Sequence, residues 1–121
     1  MNKTILIVDD EPHMLLIIEL SLKKAGYDIM TAINGVDAVT TAARLLPALI
    51  VMDVAMPEMD GITALKQLKA TPATAGIPVI MLTTRGQNLT REEAAHSGAA
   101  LYLTKPFSPS LLAAEARRII G

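Results

Sequence analysis

Short aliphatic runs alternate with helix-period segments five times along this chain, and no other feature limits its possible folds as strongly. Ile5–Val8, Tyr27–Ala32, Ala48–Met52, Pro78–Leu82 and Ala100–Leu103 are each short, rich in Ile, Leu, Val and Met, and bounded by turn residues or charge. Runs of this length and composition read as buried strands. Between them lie segments with helical spacing. One runs from Pro12 to about Ala25, with Pro12 in its first turn and Gly26 as its stop. Val36–Leu46 follows the turn signal Asn34-Gly35, and Ile62–Ala70 follows a loop from Pro57 to Gly61. Thr90 with Glu93 forms a capping box for a short helix, and Ser108-Pro109 opens a last helix that reaches about Ile119.

Strand–helix alternation of this kind predicts an α/β, doubly wound five-stranded parallel sheet with five helices on both faces. Each crossover is expected to be right-handed. At 121 residues the chain fits one domain, read here as spanning 1–121 without an effector domain. Hydrophobic residues make up 51% and aromatics only 2%, so the core must be aliphatic, with the seven methionines as gap-fillers.

Charge and composition narrow the function classes. A formal net charge of −1, no tryptophan and no basic cluster argue against direct nucleic-acid binding. No apolar run approaches the length of a bilayer span, and the N-terminus lacks a secretory pattern. With no cysteine, disulfides and thiolate metal sites are excluded. A cytoplasmic location is the expectation.

In an open α/β sheet, sites form beyond the carboxyl ends of the strands. Here those ends carry Asp9-Asp10, Asp53, Thr83-Thr84 and Thr104-Lys105. Converging carboxylates repel one another, and a hard divalent cation relieves the repulsion. Mg²⁺ prefers oxygen ligands and keeps several waters. Asp10 and Asp53 are the expected direct ligands, with Asp9 acting through water. Lys105 adds fixed positive charge, and the Thr83 hydroxyl can donate to a phosphoryl oxygen. A cation, an ammonium and a hydroxyl around a carboxylate suit phosphoryl transfer, whose catalysis is mostly positioning and charge stabilisation. An ionised carboxylate needs no general base, so neither His13 nor His96 has to take part.

Along essentially its whole length the sequence resembles the receiver domains of bacterial response regulators in two-component signalling, including the chemotaxis regulators. The matching residues are Ile7-Val8-Asp9-Asp10-Glu11, then Asp53-Val-Ala-Met-Pro57-Glu-Met-Asp-Gly61, then Pro78-Val-Ile-Met-Leu-Thr83. Gly98-Ala99 and Tyr102-Leu-Thr-Lys105-Pro106-Phe107 complete the set. The resemblance implies the strand order 2-1-3-4-5. It implies that Asp53 is the phosphoacceptor, supplied by a phosphohistidine of a histidine kinase or a histidine phosphotransfer protein. It implies that Asp9, Asp10, Asp53 and the backbone carbonyl of Ala55 hold Mg²⁺, with Mn²⁺ as a substitute. Lys105 and Thr83 would contact the phosphoryl group, and Thr83 and Tyr102 would form a switch pair. That pair would repack the face built from the fourth helix, fifth strand and fifth helix. The Lys105–Pro106 peptide is expected to be cis. Such a chain assists its own phosphotransfer and slow autodephosphorylation without being a turnover enzyme. It would be a monomer or a phosphorylation-dependent dimer acting on a downstream target protein. Ala55, Thr84 and Arg85 occupy positions that in this family tune the lifetime of the acyl phosphate.

The first helix is unusually apolar. Met14, Ile17, Ile18, Leu22 and Ala25 form the expected core stripe, which leaves Leu15, Leu16 and Leu20 outside it. Leu16 and Leu20 are therefore candidates for the kinase or phosphotransfer contact. Three competing functions fit less well. An aspartyl-nucleophile phosphatase usually has a second carboxylate two residues after the nucleophile, where this chain has Ala55. A nucleotide-binding module would carry a Gly-rich loop after the first strand, where this chain has Asp9-Asp10-Glu11-Pro12. A constitutive interaction module would need neither Thr83 nor Lys105.

Overall fold

The computed structural model describes residues 3–56, 59–83 and 96–121. Within them the chain order is β1 (Thr4–Val8), α1 (Pro12–Lys24), β2 (Asp28–Ala32), α2 (Gly35–Leu45), β3 (Leu49–Asp53), α3 (Gly61–Ala70), β4 (Val79–Thr83), β5 (Leu101–Thr104) and α4 (Pro109–Ile120). All strand pairs are parallel, and the sheet order is β2-β1-β3-β4-β5. This is the order the family resemblance implies. Four helices lie among the described residues, so the expected count of five is not reached there. The short helix expected at the Thr90–Glu93 capping box falls outside the described residues, as do Thr84 and Arg85.

Side chains alternate across the sheet, and each face has its own core. On one face Leu6, Val8, Ile50, Met52, Val79 and Met81 pack with Ala38 and Ala42 of α2 and Ala64, Leu65 and Leu68 of α3. On the other, Ile5, Ile7, Leu49, Val51, Ile80 and Leu82 pack with Ile18 and Leu22 of α1 and Leu112 and Ala116 of α4. The central strands are buried on both faces, which explains why they read as unbroken apolar runs rather than alternating ones.

Helix starts follow local chemistry. The Asn34 side chain accepts from the Asp37 amide at 2.8 Å and caps α2. Asp60 does the same for Thr63 of α3 at 2.8 Å, and Ser108 caps α4 through the Leu111 amide. Pro12 opens α1 without a side-chain cap.

One expectation about α1 is corrected. Ile18 and Leu22 are fully buried, but Leu15 also packs against the core beside Met14, and Ile17 is only half-buried. α4 lies along the other flank of α1, where Leu20, Ser21, Lys24 and Ala25 face Pro109 and Ala113, so the buried stripe centres on Ile18 and Leu22 and extends to Leu15. Leu16 and Leu20 remain 51% and 60% exposed.

Candidate functional site

Strand register determines which side chains meet at the carboxyl edge. Val8 pairs with Met52, so one further step along that ladder sets Asp9 opposite Asp53. Asp53 in turn pairs with Leu82, and Leu82 with Leu103. Ile7 and Val51 point to the α1/α4 face. By alternation Asp9 and Asp53 emerge on that same face. Leu103 packs there too, and Lys105 follows two residues later with the same parity. Asp10 has the opposite parity and is exposed at the rim.

The result is a compact charge cluster. The Lys105 ammonium lies 3.1 Å from Asp9 Oδ2 and 3.2 Å from Asp53 Oδ2. Asp9 is fully buried and Asp53 only 4% exposed. Carboxylate oxygens of Asp9, Asp10 and Asp53 all lie within 4.8 Å of one another. Backbone amides hold the remaining oxygens: Glu11 N–H donates to Asp9 Oδ1 at 3.0 Å, and Ala55 N–H to Asp53 Oδ1 at 3.3 Å. Burial pushes the Asp53 carboxyl above its ordinary value; Lys105 pulls it down, and Asp9 adds to the rise. For Lys105, burial works against the charge, but the two carboxylates override it and hold the ammonium above its ordinary value. An all-oxygen donor set with two buried carboxylates and one at the open rim suits a hard divalent cation such as Mg²⁺.

The other predicted residues fall around this cluster. Thr83 ends β4 one residue beyond Leu82, half-buried, and its carbonyl accepts from the Lys105 amide at 2.5 Å. Ala55 is exposed at the rim. Tyr102 is half-buried in β5, pairs in register with Met81, and packs on the α2/α3 face. Thr83, two residues after Met81, shares that face, so Tyr102 and Thr83 are diagonal neighbours. The Lys105–Pro106 bond is cis. Leu16 and Leu20 are not part of the cluster. Leu20 lines a groove of about 520 Å³ between α1 and α4, together with Ser21, Lys24, Pro109 and Ala113.

Some supporting residues were not legible in advance. Gly61 passes so close to the Asp53 carbonyl that a Cβ there would overlap it, while the Gly61 amide donates to the Val54 carbonyl at 2.8 Å. The sequence marked Gly61 only as a loop end and a member of the resembling motif, not as a contact of Asp53. The Tyr102 hydroxyl donates to Ser97 Oγ at 2.9 Å, a partner for which no sequence signal existed.

The sequence profile described as a response regulator receiver domain matches residues 5–117. The DNA-binding dual master transcriptional regulator RpaA of Synechocystis is 39% identical over 116 residues, covering 96% of this chain and 48% of that protein. The alkaline phosphatase synthesis transcriptional regulatory protein PhoP of Bacillus subtilis is 38% identical over 120 residues, covering 99% of this chain and 49% of that protein. The chain thus spans about half the length of these relatives. Among solved structures, the receiver domain of the sensor histidine kinase PA1611 of Pseudomonas aeruginosa PAO1 matches with a TM-score of 0.90 at 32% identity. That match covers 100% of this chain and 99% of the other, which holds a magnesium ion coordinated in its active-site cleft.

Proposed function

The chain belongs to the response regulator receiver domain family of two-component signalling, and we propose that it accepts a phosphoryl group on Asp53 and changes its surface in response. A receiver domain is a signalling module rather than a turnover enzyme. The observation that carries the proposal is the ammonium of Lys105 bridging the buried carboxylates of Asp9 and Asp53, with Asp10 in reach of both.

In the proposed reaction an oxygen of the Asp53 carboxylate attacks the phosphorus of a phosphohistidine. A P–O bond forms as the P–N bond breaks. The imidazole keeps the electron pair and takes a proton from solvent. The carboxylate must be ionised to attack, and Lys105 is the charge that favours that form. Asp9, Asp10, Asp53 and the Ala55 carbonyl are the proposed Mg²⁺ ligands; bound there, Mg²⁺, or Mn²⁺ in its place, neutralises charge on the phosphoryl oxygens. Lys105 contacts a second phosphoryl oxygen and Thr83 a third through its hydroxyl. Pulling Thr83 toward the phosphoryl group opens space on the face it shares with Tyr102, and the two residues act as the switch pair.

The proposed phosphodonor is a histidine kinase or a histidine phosphotransfer protein. Support for where it docks comes from Leu16 and Leu20, both exposed on α1, with Leu20 lining the groove against α4. For the output, the expectation was no direct nucleic-acid contact by these residues. RpaA is a DNA-binding regulator, so a DNA target reached through a region outside these residues is a proposed output, alongside a protein target. Within 1–121 we propose a single receiver domain. Among the described residues no helix is long and apolar enough to cross a membrane; a cytoplasmic location is part of the proposal.

The test is intact-mass measurement after incubation with Mg²⁺ and acetyl phosphate. One added phosphoryl group that requires Mg²⁺ and is lost in Asp53→Asn is the expected result. A folded protein that takes up no phosphoryl group from acetyl phosphate or from a histidine-kinase donor overturns the proposal.

A further inference from the structure

Ser97 is a point where two donors converge. Its Oγ accepts from the Tyr102 hydroxyl at 2.9 Å and from the Ala99 amide at 3.3 Å. A serine oxygen has two lone pairs, so these two bonds use its accepting capacity. The intervening Gly98 has φ of +89°, a conformation that glycine adopts without steric cost, and this folds Ala99 back onto the serine.

The hook is tied to the body of the domain. A Cβ on Gly98 would sit 3.2 Å from Cγ of Lys69 in α3. Lys69 is itself held, with its ammonium donating to the Ala75 carbonyl at 3.1 Å and the Ile77 carbonyl at 2.7 Å. The Tyr102 phenol is thus bonded to a serine oxygen that the Ala99 amide also engages.

We propose that Ser97 is a positioning residue for the switch. Its hydroxyl holds Tyr102 in the arrangement seen here and so biases the unphosphorylated domain against the switched one. The inference rests on the switch role proposed for Tyr102. A hydrogen bond made in one state and broken in the other shifts the population between them. With one such bond the shift is about fivefold.

The chain contains two tyrosines, which makes fluorine NMR of fluorotyrosine-labelled protein a direct readout. Tyr27 donates to the Gly121 carbonyl at the opposite end of the sheet and serves as the internal control for folding. In Ser97→Ala the Tyr102 resonance is expected to move toward its position in the acetyl phosphate-treated wild type, with the Tyr27 resonance unchanged. Ser97→Thr keeps the hydroxyl and is expected to restore the wild-type position. The initial rate of Asp53 labelling by acetyl phosphate with Mg²⁺ should rise about fivefold in Ser97→Ala. That rise should vanish when Tyr102→Phe is already present. An unmoved Tyr102 resonance in Ser97→Ala overturns the proposal, as does a rate rise that persists without the phenol. If the Tyr102 resonance moves in Ser97→Ala and returns in Ser97→Thr while Asp53 is labelled in no variant, the hold of Ser97 on Tyr102 is supported and the phosphoacceptor reading falls separately.

Discussion

Gly61 stands against the backbone of Asp53. A side chain at Gly61 would overlap the Asp53 carbonyl and lie 2.9 Å from both the Val54 Cα and the Met81 Cε. The first residue of α3 is thereby wedged beneath the end of β3, and it limits how far the Asp53 peptide can move. Gly61→Ala forces backbone apart rather than a flexible side-chain tip. The expected cost is about 1–3 kcal/mol of stability, read as a lower urea midpoint. Asp53 labelling by acetyl phosphate should slow in the fraction that remains folded. A variant with wild-type stability and labelling would show that the wedge has no effect on the site.

Lys105 keeps two buried carboxylates together. In Lys105→Met the ammonium is gone, and Asp9 and Asp53 face each other unscreened. The Asp53 carboxyl, already raised by burial, should rise further. A carboxyl with a folded pKa above its unfolded value contributes stability that is complete below the unfolded pKa and is lost as pH rises through the folded one. The variant's deficit relative to wild type is therefore expected to be small in acid and to grow toward neutral pH. Denaturant titrations across that range measure it. Labelling by acetyl phosphate should fall by roughly 10²–10³-fold, the usual loss when one charge-stabilising group is removed.

The same sign rule applies to Asp53 itself. Its neutral form is favoured by burial in the metal-free fold, so Asp53→Asn should be more stable than wild type at neutral pH, by on the order of 1 kcal/mol. The advantage should shrink as pH falls through the folded pKa and disappear below the unfolded one, about 3.9. Adding Mg²⁺ should raise the melting temperature of the wild type more than that of the variant, because the variant has one carboxylate fewer in the donor set. Calorimetry with and without Mg²⁺ over a pH series tests both statements; a variant less stable than wild type at every pH would contradict the first.

Leu16 and Leu20 point away from both cores. Glutamate at either position should change stability by no more than about 0.5 kcal/mol. Transfer from a phosphohistidine donor protein should slow at least several-fold while labelling by acetyl phosphate is retained. Equal loss of both reactions would mean that these residues act on the site rather than on a partner.

Much of this was legible before any coordinates. Helices and strands were readable because their signals are local: continuous short apolar runs for strands, and start signals such as Pro12 and Ser108-Pro109 for helices. Gly35 was read as part of a turn yet opens α2, because Asn34 caps the helix one residue earlier than its apolar pattern begins. Leu15 was assigned to the wrong side of α1 because the direction in which a helix meets the sheet is set by long-range packing that its own spacing does not contain.

The sequence by itself determined that carboxylates, a threonine and a lysine follow successive strands. Alternation within each strand is likewise local, but that Asp9, Asp53 and Lys105 share one face depends on the register between strands. Only the tertiary structure decided which oxygens Lys105 joins, that Gly61 presses on Asp53, and that Ser97 holds the Tyr102 phenol. Those contacts depend on strand register and on elements far apart in the chain. They are chosen by packing that no local window of residues contains.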